Sequence, residues 1–72
     1  MTTHNRIKYV IDLDGKDKLL PDLDEEGAIN FVEYMSKQKR GRVLTLRKIM
    51  LSDNGNISAD ITIRNYLNGE RL

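Results

Sequence analysis

From Arg6 to Leu13 apolar and polar residues alternate: Ile7, Tyr9, Ile11 and Leu13 fall on one side, with Lys8 and Asp12 opposite. This period of two is the signature of a half-buried strand. Asp14-Gly15 breaks the alternation, and Lys16 to Pro21 reads as a loop. Within it Leu19-Leu20 is a short extended piece, because the residue before a proline is pushed out of the helical region. The period then lengthens. Ala28, Ile29, Phe31, Val32 and Met35 form one stripe at helical spacing, with Glu26, Asn30, Glu33 and Lys37 opposite, as in a helix that covers a sheet. Asp22 or Asp24 can cap it, Glu25 and Glu26 suit the positive end of its dipole, and Lys37, Lys39 and Arg40 suit the negative end before Gly41 stops it. Two β-prone runs follow, joined by Asp53-Asn54-Gly55-Asn56, and Asn-Gly between such runs is the strongest short-range hairpin signal. The pattern predicts a strand over about 6–13, a helix over about 24–40, and hairpin strands over about 42–52 and 57–66.

These elements make a single α+β domain of βαββ type, a three-stranded sheet with one helix packed on one face. Two strand orders are compatible with it. In the split order, 1-3-2, the last strand lies between the other two and every pairing is antiparallel, as in half of a ferredoxin-like fold; this order is preferred. In the alternative, 1-2-3, a right-handed crossover puts the second strand in the centre. The hairpin register is open as well. A two-residue turn at Asn54-Gly55 groups Leu46, Lys48 and Met50 with Ala59, Ile61 and Ile63. A three-residue turn with Gly55 in a left-handed bulge groups Thr45, Arg47, Ile49 and Leu51 with them instead, and sets Lys48 opposite Asp60, a favourable cross-strand pair that inclines us to this register.

Strand 42–52 carries the main clue to function. The last strand alternates, with Ile57, Ala59, Ile61 and Ile63 against Ser58, Asp60, Thr62 and Arg64, but the one before it is apolar on both faces. Val43, Ile49 and Leu51 cannot share a side with Leu44, Leu46 and Met50. One helix covers one face, so one of these sets is left at the surface, where a contiguous apolar patch marks an interaction site. The competing expectation is that Tyr66 to Leu72 folds back over that face.

Composition narrows the classes further. Seventy-two residues lie near the lower limit for a self-supporting core and leave no room for a separate cofactor-binding unit. There is no cysteine, hence no disulfide framework and no thiolate metal site. The polar start, Met1 to Asn5, and the absence of any apolar run near the roughly 20 residues of a membrane span point to a cytoplasmic protein with no membrane contact. On that expectation the acceptor pattern Asn56-Ile57-Ser58 is read as a turn leading into a strand. The one histidine is His4, in a terminus expected to fray, and no pair of carboxylates is spaced around a pocket, so we expect no enzyme and no cofactor.

Three local patterns suggest sharper chemistry. Val10-Ile11-Asp12-Leu13-Asp14-Gly15 resembles the first motif of haloacid-dehalogenase-type phosphatases, where a strand ends in Asp-x-Asp-Gly and presents a nucleophilic carboxylate beside a Mg²⁺ ligand. Lys16 stands where that family carries threonine, and the chain is too short for the family's remaining motifs; an Asp-Gly turn accounts for the same residues. Residues 22–33 resemble a calcium-binding EF-hand loop, with Asp22, Asp24 and Glu26 at positions one, three and five, Gly27 at six, Ile29 at eight and Glu33 at twelve. The same residues satisfy a capped amphipathic helix, which excludes the loop, and Pro21 ends the segment in which an entering helix would lie. Lys37, Lys39, Arg40 and Arg42, followed by Arg47, Lys48 and Arg64, form the third pattern, a basic helix end and sheet face that with Arg6, Lys8 and Tyr66 would suit single-stranded nucleic acid. A formal net charge of +1 supplies no global field for it.

The sequence therefore reads as a small non-enzymatic interaction module that binds a protein partner, itself included, through Val43, Leu44, Leu46, Ile49, Met50 and Leu51. Its size suits a regulator or inhibitor of the kind that phages and mobile elements carry. Nucleic-acid binding is the alternative, and calcium at 22–33 the lesser one.

Overall fold

The computed structural model describes residues 6–72; His4 and the rest of the first five residues lie outside it. The chain forms β1 (Ile7–Leu13), β2 (Lys16–Leu19), α1 (Glu25–Gln38), β3 (Val43–Leu51), β4 (Ile57–Leu67) and β5 (Glu70–Arg71). All strands belong to one antiparallel sheet in the order β2-β1-β3-β4-β5. The domain is thus α+β with one helix and an antiparallel sheet, and the sheet has five strands where three were expected.

The two additional strands come from two tight turns. Asp14 and Gly15 have φ of 55° and 78°, and Asn68 and Gly69 have 54° and 82°. Positive φ at both central residues defines the type I′ hairpin turn, which Asp-Gly and Asn-Gly favour because Asp and Asn tolerate the left-handed region and glycine, lacking a Cβ, enters it freely. Leu13 consequently pairs with Lys16, and Leu67 with Glu70. The Asp14-Gly15 hairpin also corrects the strand order. It reverses the chain once more before the helix, so β1 and β3 run antiparallel, with Ile11 opposite Leu46 and Leu13 opposite Leu44. β3 takes the centre, as in the 1-2-3 order, yet all pairings stay antiparallel; the split order 1-3-2 is not adopted.

The β3–β4 register combines both expected turns. Ser52 and Asn56 close a three-residue loop, with the Ser52 N–H donating to the Asn56 carbonyl at 2.8 Å and Gly55 at φ 86°. Leu51 then pairs with Ile57, but Ser58 is bulged out, so Met50 meets Ala59 and Lys48 meets Ile61. Ile63 is skipped in the same way, bringing Leu46 opposite Arg64 and Leu44 opposite Tyr66. The expected Lys48–Asp60 pair is therefore absent, since Asp60 faces Ile49. Such bulges bend a strand and reset which face its side chains point to.

Helix α1 begins where its cap dictates. Asp24 has extended backbone, and its carboxylate accepts the Gly27 N–H at 2.7 Å, satisfying one of the donors that a helix start leaves open. Gly41, at φ 80°, follows the helix end. Ala28, Val32 and Ser36 are fully buried beneath it. They meet a core of Tyr9, Ile11, Leu20, Leu44, Leu46 and Tyr66, with Ile7, Leu13, Leu23, Ile29, Phe31, Met35 and Ile63 around its margin. Tyr66 to Leu72 does not fold over the opposite face; it completes β4 and lies at the sheet edge as β5. Among the described residues no helix is long and apolar enough to cross a membrane.

Candidate interaction surface

Lys48 Nζ lies 3.6 Å from Glu25 Oε1, and the Gly69 N–H donates to Ser36 Oγ at 2.8 Å. The helix therefore starts over the middle of β3 and ends at the β4–β5 turn. Its 14 residues span about 21 Å, whereas the 9 residues of β3 and 11 of β4 reach about 30 and 36 Å. The hairpin must outrun the helix, and the described chain is long and narrow, 44 × 21 × 16 Å.

The overhanging arm is apolar on both sides. Met50, Ala59 and Ile61 continue the helix side past the first helical turn, and Leu51 and Ile57 lie on the other, because the bulge at Ser58 turns Ile57 away from Ala59 and Ile61. Ile57 is 64% exposed and Ile61 47%. The arm also has an open edge. β5 pairs only with Tyr66 and Leu67, and Leu72 N–H with the Asn65 carbonyl, so β4 from Ile57 to Arg64 has no strand on its outer side among the described residues. A long edge bearing apolar side chains is a template for another strand.

The sheet face opposite the helix has a different character. Arg47 stands at its centre, its guanidinium 2.6 Å from an Asp17 carboxylate oxygen and 2.8 Å from one of Asp60. Beside it a polar row crosses four strands, Asp17, Asp12, Thr45 and Asn65, with the Thr45 hydroxyl 2.7 Å from Asn65 Oδ1. Val10 and Ile49, both 8% exposed, lie opposite Arg47 and Lys8, whose aliphatic stems suit covering them. Arg47 is paired on both sides, while Asp12 Oδ1 and Arg47 Nε are buried without a hydrogen-bond partner among the described residues, so this face is polar in character and unlike the apolar arm.

The residues expected to bind a partner are accordingly divided. Leu44 and Leu46 are fully enclosed in the core and Ile49 is buried, while Met50 and Leu51 are half-buried on the arm and Val43 is exposed at the other end of β3, opposite Leu67. The sequence pattern singled out β3, and the structure adds Ile57 and Ile61 of β4 to the exposed apolar side chains of the arm. Their signal was the length of the 57–66 run set against the shorter helix.

The basic residues do not form one surface. Arg42 pairs with Asp14, Arg47 with Asp17 and Asp60, and Lys48 with Glu25, on different sides of the sheet. Arg64 donates to the Tyr66 hydroxyl at 3.3 Å, Arg6 pairs with Asp53 and Lys8 with Asp22. Lys37, Lys39 and Arg40 are exposed at the helix end. The acidic patterns disperse too. Residues 22–33 are the capped start of α1, with Asp22 held by Lys8 and Asp24 spent on the cap, so Asp22, Asp24, Glu26 and Glu33 do not form an EF-hand loop. Asp14 sits in the type I′ turn on Arg42, and Asp12 on the open face. Among the described residues no three histidine, cysteine, aspartate or glutamate side chains are placed to hold a metal ion.

No protein-family model matches the chain, and no curated protein or solved structure matches it either.

Proposed function

We propose that the protein is a non-enzymatic interaction module that works by strand addition at the open edge of β4, with a second copy of the chain as its first partner. One observation carries this reading: among the described residues the edge from Ile57 to Arg64 has no pairing strand, and it bears the exposed Ile57 and Ile61. Antiparallel pairing of two such edges about Ile61 sets Ile61 against its twin and Asp60 against Thr62, so no like charges meet. Such an isologous contact closes on itself and gives a dimer, and main-chain hydrogen bonds supply affinity where an edge is extended. A role as a regulator or inhibitor follows if a foreign strand competes for the same edge.

Light scattering over a concentration series tests this. The wild type should rise to twice the monomer mass, and the double variant Ile57→Lys, Ile61→Lys should remain monomeric with an unchanged far-UV spectrum. A wild type that stays monomeric at every concentration, or a variant that dimerises as well as the wild type, contradicts the second copy as partner.

A further inference from the structure

The helix is too narrow for the sheet as well as too short. Five strands span about 19 Å between outer axes, while a helix with its side chains is about 10–12 Å across. Helix α1 packs over β3 and β4 and stays clear of β2. What remains beside it is a groove of about 310 Å³, with Ile11 and Leu13 of β1 as its floor, Met35 of α1 as one wall, and Asp14, Lys16, Asp17 and Lys18 around its mouth.

The charges at this mouth are sorted by the strand's period of two. Lys16 and Lys18 face Leu13 and Ile11 across the β1–β2 ladder and share their side of the sheet, whereas Asp17 lies on the opposite side, opposite Asp12, and is held by Arg47. Asp14 is held by Arg42. Among the described residues Lys16 and Lys18 have no ion pair. Both carboxylates are thus already neutralised, and the groove offers two free ammonium groups above an apolar floor. Its volume is at the lower end for small-molecule sites, which combine apolar walls with a few placed polar groups.

We propose that this groove binds a free single-chain aliphatic carboxylate, its chain lying on Ile11, Leu13 and Met35 and its carboxylate between Lys16 and Lys18. The two lysines lie two residues apart on one side of a strand, about 7 Å, so one carboxylate can accept hydrogen bonds from both flexible ammonium groups. The site is separate from the β4 edge and stands without the dimer reading.

Amide and methyl NMR shifts during titration with decanoate below its micelle concentration test the proposal, using the full chain. Saturable shifts are expected at Ile11, Leu13, Lys16 to Lys18 and the Met35 methyl, with none from acetate and none from decylammonium. The double variant Lys16→Gln, Lys18→Gln should weaken decanoate binding at least tenfold while its spectrum elsewhere stays that of the wild type. Equal shifts from decylammonium, unweakened binding by the double variant, or shifts centred on Ile57 and Ile61 would overturn the assignment. So would retention on anionic vesicles with no saturable response to free decanoate.

Discussion

The N–H of Gly69 donates to the hydroxyl of Ser36 at 2.8 Å, and that hydroxyl belongs to a fully buried side chain. This bond ties the helix to the β4–β5 turn. Gly41 N–H donating to Asn68 Oδ1 at 2.7 Å ties the chain after the helix to the same turn. The far end of the sheet is therefore locked to α1, and the arm at the other end is left uncovered. Ser36→Ala strands the Gly69 N–H and should lower stability by about 1–2 kcal/mol, read from urea unfolding. Gly69→Ala should cost a similar amount, because φ is 82° there and an added Cβ would run into the Lys37 side chain.

Asp24→Ala removes the helix cap and should cost about 1 kcal/mol in the same assay. Millimolar calcium should not shift the wild-type unfolding midpoint. A rise reversed by chelator would mean that residues 22–33 fold as a loop around the ion.

Arg47 holds two carboxylates from strands on either side of β3. Arg47→Met keeps the stem over Val10 but leaves Asp17 and Asp60 without their cation. A loss of about 1 kcal/mol is expected at low salt, shrinking as ionic strength rises. An equal loss at all salt concentrations would assign the effect to packing.

Much of this architecture can be read in the chain because local and global preferences agree. The helix lies within the span that its apolar stripe and acidic first turn indicate, and strands β1, β3 and β4 coincide with the β-prone runs. What escaped was turn chemistry and bulges. Asp14-Gly15 and Asn68-Gly69 carry the I′ signature but flank very short strands whose side chains are mostly polar, so no periodicity marked them. Asn54-Gly55, the strongest turn signal, sits inside a three-residue loop because the bulge at Ser58 restores the register that keeps Leu46 on the helix side and Arg47 on the opposite face. Patterning of one strand cannot show where its partner will skip a residue. For the same reason the two-sided apolar character of β3 was legible, while its resolution was not: Leu44 and Leu46 go to the core, and the excess emerges on the arm.

Ile61→Lys alone should separate association from folding. Ile61 is half exposed beyond the helix, so the monomer's stability should change by no more than about 0.5 kcal/mol, while self-association falls severalfold. Parallel loss of both, measured by unfolding and sedimentation, would make Ile61 part of the core instead.

The most direct test of the β4 edge as the interaction site is residue-resolved amide hydrogen exchange at two protein concentrations, one below and one above the association range. Outward-facing amides between Ile57 and Arg64 should exchange freely in dilute protein and become protected when concentrated, while those of β2 stay unprotected at both. Protection in β4 that does not depend on concentration, or concentration-dependent protection confined to β2, would contradict the account.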